Sequence, residues 1–263
     1  MRPLRPLFKF SLLAVILGVA ACSSSPTGRQ QVLLFSGNDM SQLGAQSFSE
    51  LKKQEKIESD PKINKYVQCV SYAITRTLPA PKDFNEWEVV VFDSEQVNAF
   101  ALPGGKIGVY TGLLNVAKNQ DQLATVIGHE IAHVLANHGN ERLSQSQVVD
   151  MGLQLSSAAM SGSEYQGMAM AGLGLGAQYG ILMPYGRAQE SESDILGLRL
   201  MAAAGFDPQQ SVELWKNMAA ASGGNQPPEL LSTHPSHSTR IEDLQKEIAK
   251  LSITPVKRQN CQQ

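Results

Sequence analysis

The residues best suited to chemistry read His129-Glu130-Ile131-Ala132-His133. On a helix, side chains four apart stand one above the other, so the two histidines share a face. Imidazole nitrogens in that arrangement can both reach one zinc ion. Glu130 sits beside the first histidine and flanks the metal without needing to bind it. It is therefore placed to act on water at the metal. A chance match of these three positions in a chain so poor in histidine is on the order of one in a hundred or rarer.

Such a site needs a third protein ligand, carboxylate or imidazole. The best source is the run RAQESESD at 187–194. Glu190 and Asp194 are i and i+4 on an expected helix and share a face. One can bind metal while the other accepts the N–H of a ligating histidine and fixes its tautomer. Glu192, two residues from both, is expected to point to solvent. His138 follows His129 by nine residues, about half a turn round the helix. It is expected to have a structural or helix-end role, with Gly139 ending the helix. His237 reads as surface.

The elements that must position these groups can be read from periodicity. Residues Asn38–Lys53 and Asp60–Leu78 look helical, the second with Ile63, Val67, Val70, Ile74 and Leu78 on one side. Pro79–Phe84 breaks the pattern. Trp87–Phe92 reads as a strand. Asn98–Leu102 and Lys106–Tyr110 flank Pro103-Gly104-Gly105, a hairpin signal. Thr111–Ala117 and Asp121–His138 return to helical period, and Leu123, Val126, Ile127, Ile131, Val134 and Leu135 give the histidine helix a buried side. Helices, then a small sheet, then helices describe an α+β fold. The stretch Ser146–Ile181, poor in charge and rich in Ala, Gly, Met, Ser and Leu, is expected to form packed or mobile helices of the soluble domain. A membrane-dipping hairpin is the alternative, although the Gly content weakens a helix.

The N-terminus carries a different signal. Arg2, Arg5 and Lys9 precede an apolar run, Phe10–Ala21, which is short for a membrane span and reads as a signal-peptide core. Val19-Ala20-Ala21-Cys22 resembles the lipobox of bacterial lipoproteins, in which cleavage precedes a cysteine that is then lipidated. With no Asp after Cys22, the resemblance implies the outer membrane. The expected organisation is a signal peptide at 1–21, a lipidated tether at 22–33, one catalytic domain at 34–253 and a C-terminal tail at 254–263. With Cys22 lipidated, Cys69 and Cys261 permit one pairing, and an oxidising periplasm makes a disulfide the expected state. A hydrophobic fraction of 42%, a charged fraction of 17% and a net charge of −2 fit a globular core and give no electrostatic case for nucleic acid.

The run GHEIAHVLANH, followed by RAQESESDILGL, resembles the gluzincin peptidases related to HtpX and the CaaX prenyl proteases, whose pattern is HExxH and a later ExxxD. The likeness covers roughly 34–251, including Asn98–Ala101. Ser193 stands where the family usually has Ala. With the lipobox added, the chain resembles the LoiP-type outer-membrane lipoprotein proteases.

The resemblance implies a mostly helical, zincin-like α+β domain with a small sheet or hairpin beside the HExxH helix. It implies one Zn2+ per chain held by His129, His133 and Glu190. Glu130 is then the catalytic acid/base, and Asp194 the carboxylate that supports a ligand histidine. Related peptidases also carry a His-Pro segment and a later Arg near the site. His234 could thus occupy the open coordination position at rest, and His234 or Arg240 could stabilise the oxyanion.

The expected substrates are unfolded or misfolded envelope proteins, cleaved in quality control at the periplasmic face of the outer membrane. Membrane contact runs through the lipid on Cys22, and outer-membrane assembly factors or proteases are expected partners. A zinc-stabilised, chaperone-like assembly lipoprotein with little proteolysis is the runner-up.

Overall fold

The structure, a computed structural model, describes residues 22–178, 182–221, 237–251 and 256–262. It opens with a two-stranded antiparallel hairpin, β1 (Cys22–Ser24) and β2 (Gln30–Val32). Two helices follow, α1 (Gly37–Gln54) and α2 (Pro61–Thr75). Ser36 and Asp39 close a capping box at the start of α1, and the Asp60 side chain caps α2 ahead of Pro61.

The sheet comprises β3 (Glu88–Phe92), β4 (Ala99–Leu102) and β5 (Lys106–Tyr110), in the order β3-β5-β4. β3 runs parallel to the central strand β5, while β4 returns antiparallel along the other side of β5 and leaves its own outer edge unpaired within the sheet. The remaining helices are α3 (Gln120–Leu135), α4 (His138–Ala159), α5 (Gln166–Ala177), α6 (Met183–Ala203), α7 (Gln210–Ala221) and α8 (His237–Ile248). The main core lies between α2, the sheet, α3 and α6, with Val67, Ile74, Val91, Ile107, Ile127 and Met201 inaccessible to solvent. A smaller aromatic cluster of Phe48, Phe92, Phe100 and Tyr110 fixes α1 against the sheet. Mostly helical with a small mixed sheet, this is the α+β architecture expected from the sequence.

Several expectations are corrected. Thr111–Ala117 gives only a 3-10 turn at Thr111–Asn115. The histidine helix does not run to His138. It stops at Leu135, and Asn137 takes a left-handed conformation (φ 56°), so that His138 begins a new helix and Gly139 lies inside it. Asn tolerates this conformation better than most residues, which is why it can replace the glycine.

Residues 22–32, expected to be part of a loose tether, form a hairpin docked on α4. Gln31 donates to the Ala136 carbonyl at 2.6 Å, and Arg29 makes paired bonds to Glu141 at 2.6 and 2.7 Å. The Ala/Gly/Met-rich stretch is helical but not packed into the domain. No residue of α5 is buried, and Met151, Leu155, Tyr165 and Met168 are all more than half exposed. Among the described residues no helix is long and apolar enough to cross a membrane.

Cys69 on α2 and Cys261 in the tail are joined by a disulfide, with Cα atoms 5.7 Å apart. The tail is further held by Gln120, whose side chain accepts from the Cys261 N–H at 2.7 Å. Cross-linking residues 192 positions apart restricts the unfolded chain strongly. Cys261→Ser is expected to lower unfolding free energy by about 2–5 kcal/mol in urea titration, and reduction of the wild type should abolish the difference.

Candidate metal centre

The site is built where α3 crosses α6. Asn119 caps α3 through bonds from the Asp121 and Gln122 amides. Leu123, Ile127 and Ile131 then bury one face, and the period that buries them turns His129 and His133 toward α6. The crossing is close because both helices carry glycine at the contact. A Cβ on Gly128 would lie 2.8 Å from the Gly197 carbonyl oxygen, and one on Gly197 would lie 2.6 Å from the His129 nitrogen. This approach lets a carboxylate on α6 reach between the two imidazoles of α3.

His129, His133 and Glu190 come together as one group of candidate metal ligands. The two Nε2 atoms are 3.1 Å apart, and the Glu190 oxygens lie 3.5 Å from His129 Nε2 and 3.3 Å from His133 Nε2. Zinc bound tetrahedrally at about 2.0–2.1 Å from each donor sets the donors about 3.3 Å apart, so this trio fits. The far ring nitrogens agree. His129 Nδ1 meets Asp194 Oδ1 at 2.9 Å, and His133 Nδ1 meets His138 Nδ1 at 2.9 Å. An Nδ1 proton engaged in this way leaves the Nε2 lone pair for a metal.

Electrostatics follow the same plan. Without metal, burial opposes a charge on His129, but its bonds to Asp194 and Glu190 carry it up to about 9. Burial drives His133 down to about 3, against the pull of Glu190. Burial would raise Asp194, yet the Arg240 guanidinium and His129 hold it below the usual carboxylate range. Glu130, partly exposed and outside the ligand trio, is pushed up chiefly by burial. That direction suits a group that must take up and release a proton.

Arg240, weighed as an oxyanion stabiliser, is placed behind His129. Its Nε donates to Asp194 Oδ2 at 2.7 Å, its Nη2 bonds Asp194 Oδ1, and its plane lies over the Trp215 ring at 3.6 Å. It orients the carboxylate that orients the ligand. His234 lies outside the described residues.

Glu192 reverses the expectation of a solvated side chain. It is 4% exposed and accepts from Thr27, Arg29 and His138. His138 is fully buried between Glu192 and His133, a more specific place than a helix end. Glu141 and Gln189, not singled out from sequence, join the same buried network: Glu141 accepts from both Gln189 and Arg29. A buried carboxylate at Glu141 requires such partners, but sequence spacing does not show that Arg29 supplies them.

Residues 61–248 match the model of Peptidase family M48. The chain belongs to Peptidase family M48. It is 32% identical over 252 residues to the mitochondrial metalloendopeptidase OMA1 of Bos taurus, covering 90% of this chain and 48% of that protein. The Schizosaccharomyces pombe OMA1 is 34% identical over 169 residues, 64% of this chain and 48% of its own. The beta-barrel assembly-enhancing protease of Escherichia coli K12 is 27% identical over 215 residues, covering 79% and 43% respectively. The chain thus spans about half the length of the curated relatives it matches.

The crystal structure of Saccharomyces mikatae Ste24p shares the fold, with a TM-score of 0.57 at 17% identity over 77% of this chain and 55% of that one. M48 membership and the ligand trio agree on a zinc-dependent metallopeptidase site.

Two tests arise from this M48 site. Gly197→Ala forces α6 away from His129, and is expected to weaken zinc binding and cost about 1–3 kcal/mol in stability. Chelator competition and thermal melts would show it; wild-type values in both would refute the tight crossing. The second test concerns Glu192. Burial would raise it, but its hydrogen-bond donors hold it down at about 2, against an ordinary 4.5. Its contribution is complete above about 4.5 and is lost as pH falls toward 2. The stability gap between wild type and Glu192→Gln should therefore narrow over that window in acid titrations.

Proposed function

We propose that the protein is a zinc-dependent endopeptidase, lipid-anchored through Cys22 at the periplasmic face of the outer membrane, that cleaves unfolded or misfolded envelope proteins. The observation that carries the peptidase reading is the trio of His129, His133 and Glu190 with Glu130 one residue from the first ligand. Bound zinc supplies polarisation of the scissile carbonyl and acidification of the attacking water. Glu130 takes the water's proton and returns it to the leaving amine. Asp194 and Arg240 keep His129 in its metal-binding tautomer throughout.

The substrate's path is supported by the surroundings of β4. Its free edge can add an extended peptide as a further strand. Beside it a groove of about 520 Å³ is lined by Phe84, Trp87, Leu102, His133, Val134 and Leu135. An extended segment of an unfolded chain suits both features, because it offers free backbone groups and apolar side chains at once. The envelope location is supported by the lipobox likeness at Cys22 and by the bacterial relatives named as beta-barrel assembly-enhancing proteases. The exposed apolar residues of α4 and α5 favour a second contribution, holding unfolded chains near the site.

Purified Glu130→Gln should bind zinc as the wild type does, but lose at least about 100-fold in cleavage of an unfolded protein such as casein. Undiminished zinc-dependent cleavage would sink the assignment. Retained rescue of a loss-of-function strain by the same variant would favour the chaperone-like reading. Cys22→Ala should leave the protein extractable without detergent, whereas the wild type partitions with outer-membrane vesicles.

A further inference from the structure

The two ligand histidines are supported differently. Behind His129 stand Asp194 and then Arg240 from α8. Behind His133 stand His138, Glu192 and then the β1–β2 hairpin: His138 Nδ1 at 2.9 Å, Glu192 Oε2 at 3.1 Å from His138 Nε2, and Arg29 Nε at 3.0 Å from the same oxygen. Thr27 completes the set, its hydroxyl donating to Glu192 Oε1 at 2.6 Å and its amide at 3.3 Å.

We propose that the N-terminal hairpin belongs to the support of the zinc site, with Thr27, Arg29, Glu192 and His138 acting as positioning residues for His133. The inference rests on zinc binding at His129, His133 and Glu190, and not on which bond the enzyme cuts.

Hydrogen-bond direction links the hairpin to the metal ligand. A neutral imidazole has one N–H, so a ring that offers Nε2 to zinc carries its proton on Nδ1. His133 Nδ1 must therefore donate, and His138 Nδ1 must accept. His138 then carries its own proton on Nε2 and donates it to Glu192. A carboxylate only accepts, which fits four donors from Thr27, Arg29 and His138 converging on it.

The order can run only one way while Glu192 is an ionised acceptor. Should Glu192 become an amide, which also donates, His138 can reverse. Its Nδ1–H would then face His133 and force that ring to protonate Nε2, the metal-binding atom. Ser193 Oγ, 3.2 Å from His138 Nδ1, is a hydroxyl and tolerates either order. Thr27 and Arg29 hold the Glu192 carboxylate in place, so docking of the hairpin that begins at Cys22 is linked to the tautomer of a zinc ligand.

The test is zinc dissociation measured by competition with a chromogenic chelator, together with visible absorption of the cobalt-substituted protein. Glu192→Gln is expected to weaken zinc about 10–100-fold and to shift the cobalt bands, with far-UV circular dichroism unchanged. Thr27→Val and Arg29→Gln should each weaken zinc by less. Neither should weaken it further when added to Glu192→Gln. Cys261→Ser, destabilised but remote, should keep the wild-type constant, which separates positioning from general loss of stability.

A wild-type constant and spectrum in folded Glu192→Gln would overturn the proposal. Where that variant does not fold, unchanged zinc affinity in both Thr27→Val and Arg29→Gln does the same. A wild-type protein that binds zinc tightly but cleaves nothing defeats the peptidase reading and leaves this inference standing.

Discussion

The approach of α3 and α6 at Gly128 and Gly197 sets the distances in the metal centre. Zinc needs its donors about 3.3 Å apart, but helices packed through ordinary side chains lie 8–10 Å axis to axis. Removing Cβ from both helices at the crossing lets Glu190 reach the gap between His129 and His133. The same crossing buries Asp194 against His129, so ligand and support come from one turn of α6. The sheet and α2 hold α3 from the other side, and the Cys69–Cys261 bridge closes that layer.

Bringing these carboxylates inside has a physical cost that the rest of the chain offsets. Glu141, Glu190, Glu192 and Asp194 are all nearly inaccessible to water. Buried carboxylates are tolerated only where charged or polar donors meet them. Arg29 answers Glu141 and Glu192, and Arg240 answers Asp194. Both guanidiniums come from elements far from the HExxH helix in sequence. The buried carboxylates thus depend on partners contributed by the N-terminal hairpin and the last described helix.

Much of this was legible in the sequence. The i, i+4 rule placed His129 with His133 and Glu190 with Asp194, and hydrophobic period placed the helix that carries the first pair. The strands and the hairpin around Gly104 followed from β-branched residues and turn chemistry. The failures have separate causes. His138 looked peripheral because helical spacing was counted along a single straight helix, and the left-handed Asn137 redirects the chain between it and His133. Glu192 looked solvated because it points away from Glu190 and Asp194, and spacing does not show that His138 and the β1–β2 hairpin cover that other face. Arg29 looked like tether because a polar, turn-prone segment has no pattern to reveal a distant buried partner. The stretch carrying α4 and α5 was read as helices, packed or mobile, because composition alone does not distinguish a packed helix from an unpacked one; the structure leaves their apolar face exposed.

Arg240 ties a distant part of the chain to one metal ligand. It sits on the last described helix, 111 residues after His129, and the disulfide partner Cys261 is later still. Without the Arg240 guanidinium Asp194 would be a buried carboxylate answered by His129 alone. Displacing α8 would therefore disturb a metal ligand without touching either helix that carries a donor atom.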